Sequence, residues 1–243
     1  MAPSPKRLRS LLAGVLALAA LYIVLQDQLR GRDATTTIAQ ETSGTGAAAG
    51  PEAKGSGFDF YVLSLSWSPS YCEAEGSDAN RQQCQSKRPY AFVVHGLWPQ
   101  FEHGYPSRCP TDRPGVADDT LRKLYDIMPS AGLIRHEWTE HGSCTGLSQQ
   151  DYFATLRAAR EHIAIPAEFR RLDAYRTVDP DEVEKAFRGA NPALPADGVA
   201  VSCDQRYLRE VRICLTKELA FRVCPEVDRR ACRRDKAVMP PVR

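Results

Sequence analysis

His136-Glu137-Trp138-Thr139-Glu140-His141-Gly142 sets two imidazoles and two carboxylates within six residues. Upstream, Val94-His95-Gly96-Leu97-Trp98-Pro99 adds a third histidine behind an apolar run. Imidazole is the one side chain whose ordinary pKa lies near neutrality, so one ring can hold a proton while another accepts one. Two such rings acting together are what general acid–base catalysis requires. The chain has five histidines, and three lie in these two stretches. The other two, His103 and His162, have no such company and read as surface or structural residues.

Around these stretches the chain reads as strands, then helices, then strands. Tyr61, Leu63, Leu65 and Trp67 alternate with Val62, Ser64 and Ser66, a period-two strand with one strongly apolar face. Ala91 to Val94 reads as a short buried strand that Gly96 and Pro99 break. Leu121, Leu124, Tyr125 and Met128 give helical spacing over Asp118–Met128, and Pro129 stops it. Leu133 to His141 is a second expected helix, closed by Gly142 at its C-cap. Ser148 with Asp151 resembles a capping box opening a third. Asp179-Pro180 opens a fourth that ends at Gly189. Near the end, Val211, Ile213 and Leu215 alternate, as do Leu219, Phe221 and Val223 across a turn. This order predicts one α+β domain with a central antiparallel sheet, not a parallel βαβ repeat.

Composition is that of an ordinary globular chain: 243 residues, 43% hydrophobic and 26% charged, with formal charge +2. No global basic field announces nucleic acid, and the arginines at 229, 230, 233 and 234 read as a solvated stretch. Lys6, Arg7 and Arg9 precede an uncharged apolar run from Leu11 to Leu25. Residues 1–26 therefore read as a signal peptide or a signal anchor, with possible membrane anchoring through residues 10–25. Residues 27–56, rich in Thr, Ala, Gly and Ser, read as a flexible linker. The expected folded domain is 57–235, followed by a tail at 236–243. Export, whether periplasmic, secreted or membrane-anchored facing outside the cytoplasm, agrees with eight cysteines, an even number suited to disulfides. None lies in a C-x-x-C pair, which argues against a zinc ribbon or thioredoxin-like site.

The histidine spacing excludes further chemistries. H-E-x-x-x-H puts His136 and His141 five apart, whereas a zinc protease helix needs ligands at i and i+4. No serine sits in a G-x-S-x-G elbow. What remains is a reaction whose nucleophile belongs to the substrate, as when RNA is cut by its own 2′-hydroxyl. That reaction needs a base, an acid and charge stabilisation, and no metal. Taken singly, His95 after a strand and Trp98 beside Pro99 are commonly structural, and Trp138 inside a helix is commonly core.

Jointly, the segments match one pattern. Phe92-Val93-Val94-His95-Gly96-Leu97-Trp98-Pro99-Gln100 and His136-Glu137-Trp138-x-x-His141-Gly142-x-Cys144 resemble the two active-site segments of the ribonuclease T2 family. Leu65-Ser66-Trp67-Ser68-Pro69-Ser70-Tyr71-Cys72 and Val211-Arg212-Ile213-Cys214-Leu215-Thr216-Lys217 extend the resemblance, which spans about Phe58 to Cys232. It implies an exported endoribonuclease of disulfide-stabilised α+β fold that cleaves single-stranded RNA to a 2′,3′-cyclic phosphate with little base preference. No cofactor or obligate protein partner is implied. His141 would be the general base, His95 the general acid, His136 the phosphate holder and Glu137 the support of the phosphorane. Trp98 would stack on a base, with Gln100 and Tyr105 as edge readers. The family's cystines imply Cys72–Cys84, Cys109–Cys144, Cys203–Cys232 and Cys214–Cys224.

One position departs from the pattern: Glu140 stands where the family usually carries a lysine. Losing such a cation can cost about 10²–10³ in rate. The expectation is activity that survives at a reduced level, with Arg135 as a candidate substitute. Glu140 is also the one feature that favours a rival reading, a weakened domain of the same fold that binds RNA or a protein.

Overall fold

A computed structural model describes residues 57–243; the expected export segment, 1–26, and linker, 27–56, lie outside the described residues. The strands among the described residues are β1 (Phe60–Trp67), β2 (Phe92–Gln100), β3 (Arg176–Val178), β4 (Val199–Cys203), β5 (Leu208–Leu215) and β6 (Ala237–Met239). The helices are α1 (Ser68–Glu75), α2 (Arg81–Cys84), α3 (Asp118–Leu124), α4 (Ala131–Glu140), α5 (Gln149–His162), α6 (Pro180–Ala190) and α7 (Pro225–Asp228). An antiparallel sheet in the order β2-β1-β5-β4 forms the centre, and β3 pairs with β6 apart from it. The fold is α+β.

β1 lies inside the sheet, and its alternation sorts the whole protein into two sides. Tyr61, Leu63, Leu65 and Trp67 are buried against Val211, Ile213 and Leu215 of β5 and the helices, forming the main core. The opposite face is also closed where Phe60 and Val62 meet Cys214 and Cys224. Farther along that face, Ser64 pairs with Gly96 and Arg212, and Ser66 with Val93 and Glu210. The expected single apolar face is thus two, and the second gives way to polar residues where the site lies.

β2 corrects the expected break at Gly96 and Pro99. Gly96 still pairs with Ser64 and Pro99 with Tyr61, so the strand continues to Gln100. Proline is tolerated because β2 is an edge strand and has no outer neighbour needing its N–H. Between Val94 and Gly96 the register shifts, and His95 is the extra residue of a β-bulge. A bulge re-aims the side chain it carries.

Helix limits differ modestly. α3 stops at Leu124, short of the expected Met128. α4 begins at Ala131 because Ser130 caps it, accepting from the Leu133 N–H at 3.2 Å. α5 starts behind Ser148, whose hydroxyl accepts the Asp151 N–H and donates to its carboxylate. α6 opens at Pro180 under an Asp179 cap and ends at Ala190. The expected strand over Leu219–Val223 reduces to one bridge between Leu215 and Phe221, since Leu219 has a positive φ of 67°. The expected tail is no tail: Ala237–Met239 is a strand, Met239 is fully buried, and the Pro240 carbonyl accepts from the Trp67 indole at 3.0 Å. Disulfides join Cys72 to Cys84, Cys109 to Cys144, Cys203 to Cys232 and Cys214 to Cys224.

Candidate active site

On the strand side, the bulged His95 turns its Nδ1 to the Glu210 carboxylate across β1. Glu210 is buried and also receives Arg212, through Nε at 3.0 Å and Nη2 at 2.8 Å. Burial opposes the charged ring of His95, yet the Glu210 hydrogen bond and charge, with the charge of Glu137, raise its pKa above the usual 6.5. For Glu210, burial works upward, but His95 and Arg212 outweigh it and hold the carboxyl down at about 2. A fixed anion therefore favours the protonated form of the strand-side imidazole.

On the helix side, α4 ends one residue before His141, which occupies the C-cap with φ −125° and ψ −52°. The expected C-cap, Gly142, has a different duty. A Cβ there would lie 2.6 Å from Trp138 Cε3 and 2.8 Å from the Tyr152 ring, so only glycine lets this turn close over the core. His141 has no carboxylate partner, and its Nδ1 is buried without a hydrogen bond among the described residues. Burial, then the charge of His136, lower its pKa to about 4, against a smaller upward pull from Glu140. The helix-side imidazole is kept neutral.

Glu137 and Trp98 join the two sides. Glu137 is 1% exposed and accepts the Trp98 indole N–H at 2.8 Å, while its other oxygen stands 3.6 Å from His95 Nε2. Burial drives its pKa up to about 7, with His95 and the indole opposing. Gly96 makes room for it: a Cβ there would sit 1.9 Å from Glu137 Oε2. The Trp98 ring has His95 at 5.3 Å and His141 at 5.5 Å between centroids. The imidazoles from β2 and from the end of α4 thus flank one indole.

Two recesses adjoin this centre. A cavity of about 310 Å³ is lined by His141, Trp98, Gln100, Tyr105 and Arg212. A polar recess of about 250 Å³ is lined by His95, Glu210, Ser66 and Arg209. Tyr105 is 56% exposed and free to stack, whereas Gln100 turns its amide N–H onto the Pro99 carbonyl. His136 is exposed on α4, near enough for its charge to act on His141. Trp138 is core, its indole donating to the Arg113 carbonyl at 2.7 Å. His103 is exposed beside Glu226, and His162 packs on Phe221.

The cations answer the question of Glu140 differently from expectation. Arg135 is directed to Asp118 at 3.3 Å, an exposed pair, and does not line either recess. Glu140 itself is bound by Arg108 at 2.6 Å. Glu210 and Arg212 did not figure among the expected site residues. Their signal was the other parity of the Val211-Ile213-Leu215 alternation, which places both on the side of the sheet that carries Trp98.

The family model described as the Ribonuclease T2 family matches residues 58–224. A ribonuclease of Aeromonas hydrophila is 37% identical over 180 residues, covering 66% of this chain and 73% of its own. Among solved structures, an RNase-related protein from Calystegia sepium has a TM-score of 0.61 at 20% identity, covering 75% of this chain and 97% of that one. RNase NT in complex with 5′-AMP has a TM-score of 0.58 at 23% identity, covering 76% of this chain and 98% of that one. At those identities the structural likenesses bear on the fold alone.

Proposed function

The chain belongs to the ribonuclease T2 family, and from that membership we propose the parts played by the residues around its two recesses. The protein is an endoribonuclease that cleaves single-stranded RNA by attack of a 2′-hydroxyl on the adjacent phosphorus. His141, neutral, takes the proton of the 2′-hydroxyl. The 2′-oxygen bonds to phosphorus, the bond from phosphorus to the 5′-oxygen breaks, and His95, protonated, delivers its proton to the leaving oxygen. The products are a 2′,3′-cyclic phosphate and a free 5′-hydroxyl, with the two rings left in exchanged protonation states.

The recesses agree with this division. The nucleoside carrying the 2′-hydroxyl fits the cavity beside His141, with Tyr105 and the open part of Trp98 against its base and Gln100 at its edge. The leaving nucleoside fits the recess beside His95. Glu137, with a pKa near 7, presents a proton to a phosphate oxygen under mildly acidic conditions, where an ionised carboxylate would repel it. His136, exposed at the adjoining turn of α4, holds the phosphate. The observation that carries the reading is the placement of two imidazoles about one indole, each beside its own recess, with a buried carboxylate on the strand-side ring alone.

We further propose that residues 1–26 direct export, that 27–56 tether the domain, and that the catalytic domain begins near 57 and includes β6. No helix among the described residues is long and apolar enough to cross a membrane. Incubation of purified protein with RNA in EDTA, followed by end analysis, tests the chemistry. Cyclic phosphate ends formed without divalent ions are expected. Cleavage that requires an added divalent ion would contradict it.

A further inference from the structure

With Glu140 tied to Arg108, the phosphorane needs its positive charge from elsewhere, and the charged side chains near the site can be compared directly. Arg108 and Arg230 are largely exposed and each is bound to a carboxylate of its own. Arg209 lines the far recess but is shared between Glu75 and Asp204. Arg212 is different. It lines the cavity with His141, lies over Trp98 with its guanidinium carbon 5.4 Å from the ring centroid, and is about two-thirds buried. Its neighbours across the sheet are Ser64 and then Gly96, residues too small to fill the floor beneath it. A long side chain can therefore lie flat toward the indole.

We infer that Arg212 is the cation that stabilises the transition state in this chain, doing from β5 what the family's lysine does from the end of the catalytic helix. Glu210 fixes Nε and Nη2 of the guanidinium, and Nη1 has no hydrogen-bond partner among the described residues. One carboxylate thus positions both the general acid and the cation. Protonated His95 and Glu210 cancel in charge, so with Glu137 protonated as proposed above, Arg212 leaves the cluster with a net positive unit facing the cavity. A prepositioned donor in a partly dry site loses little to reorganisation as charge develops, which is where such groups contribute most. Arginine suits the task because its planar fork can hold a carboxylate on one edge and a phosphate oxygen on the other.

The inference rests on the roles proposed for His95 and His141, so those residues serve as its control. Full-length protein is assayed on the dinucleotide ApU as wild type, Arg212→Met, Arg212→Gln, Glu140→Lys and the double variant Arg212→Met/Glu140→Lys, beside His95→Ala and His141→Ala. Arg212→Met is expected to lower kcat by about 10²–10³, with KM moved by less than about threefold. Glu140→Lys is expected to change the wild-type rate by less than about threefold, yet to raise the Arg212→Met rate by about tenfold or more. A lysine at 140 starts from the turn beside His141 and not from β5, so this rescue reports charge at the phosphate and not repair of the Glu210 clamp. Should Arg212→Met fail the thermal-unfolding check for a folded protein, Arg212→Gln, which keeps an N–H donor for Glu210 without the charge, carries the same comparison. A kcat for Arg212→Met or Arg212→Gln within about threefold of wild type, or a Glu140→Lys gain equal in both backgrounds, would overturn the inference. If instead His95→Ala and His141→Ala keep their activity, the reading of the site itself fails.

Discussion

The strand side and the helix side of the cleft present the same ring in opposite settings. His95 comes from a bulge in a paired strand and meets a buried carboxylate that is itself held by an arginine. His141 comes from a helix end where, among the described residues, no carboxylate pairs with it and its Nδ1 is buried without a partner. Burial alone pushes both rings toward the neutral form, so the asymmetry comes first from Glu210, with Glu137 adding to it at His95 and the charge of His136 working the other way at His141. The lesson is that an acid and a base can be made from one residue type by supplying a counter-ion on one side and withholding it on the other.

Removing either ring should have the largest effect. His95→Ala and His141→Ala are each expected to lower kcat/KM by about 10³ or more, measured on a dinucleotide. Glu210→Gln should erase the difference between the sides at smaller cost, with a loss of about 10–100-fold. The sign of its pH effect is defined. The acid must stay protonated, so the alkaline limb of kcat/KM follows the raised pKa of His95 and should move to lower pH when Glu210 loses its charge. The acid limb, where His141 must be neutral, should stay near 4. Movement of the acid limb instead would mean that the roles are reversed.

Trp98→Phe keeps the ring but removes the N–H that Glu137 accepts. A lost hydrogen bond of this kind amounts to about 1.5 kcal/mol, or roughly a tenfold fall in kcat. Because a phenyl ring still lies between the two imidazoles, the fall should come in kcat while the acid limb set by His141 stays in place. Replacing Cys109 and Cys144 by alanine loosens only the helix side, by freeing the loop after β2 from the turn after α4. Activity should stay within about threefold while stability falls by roughly 3–4 kcal/mol, read as a lower Tm.

How much of this was legible in the sequence follows from how local each feature is. The alternation in Tyr61–Trp67 located β1, and Ser148 and Asp179 located the starts of α5 and α6, because such signals need only near neighbours. Gly96 and Pro99 misled, since their cost in a strand depends on whether the strand is an edge and what packs on it. Gly96 is required by Glu137, which arrives from 41 residues away in sequence. β3, β4 and β6 carry too few residues to announce themselves, and the tail became a strand only through its distant partner, Arg176–Val178. The histidines were visible as a cluster, but Glu210 and Arg212 were not. Nothing in Leu208–Leu215 by itself says that its polar face meets His95, which lies two strands over. Arg135 was the natural substitute for the missing lysine by proximity in sequence, and Asp118 takes it out of the site.

The central claim is that the two rings hold opposite protonation states before any substrate binds. Titration of the histidine ring signals by NMR, with His95→Ala and His141→Ala to assign them, measures this directly. His95 should titrate above 6.5 and His141 at about 4. Two rings titrating together near 6.5, or His141 titrating above His95, would contradict the account.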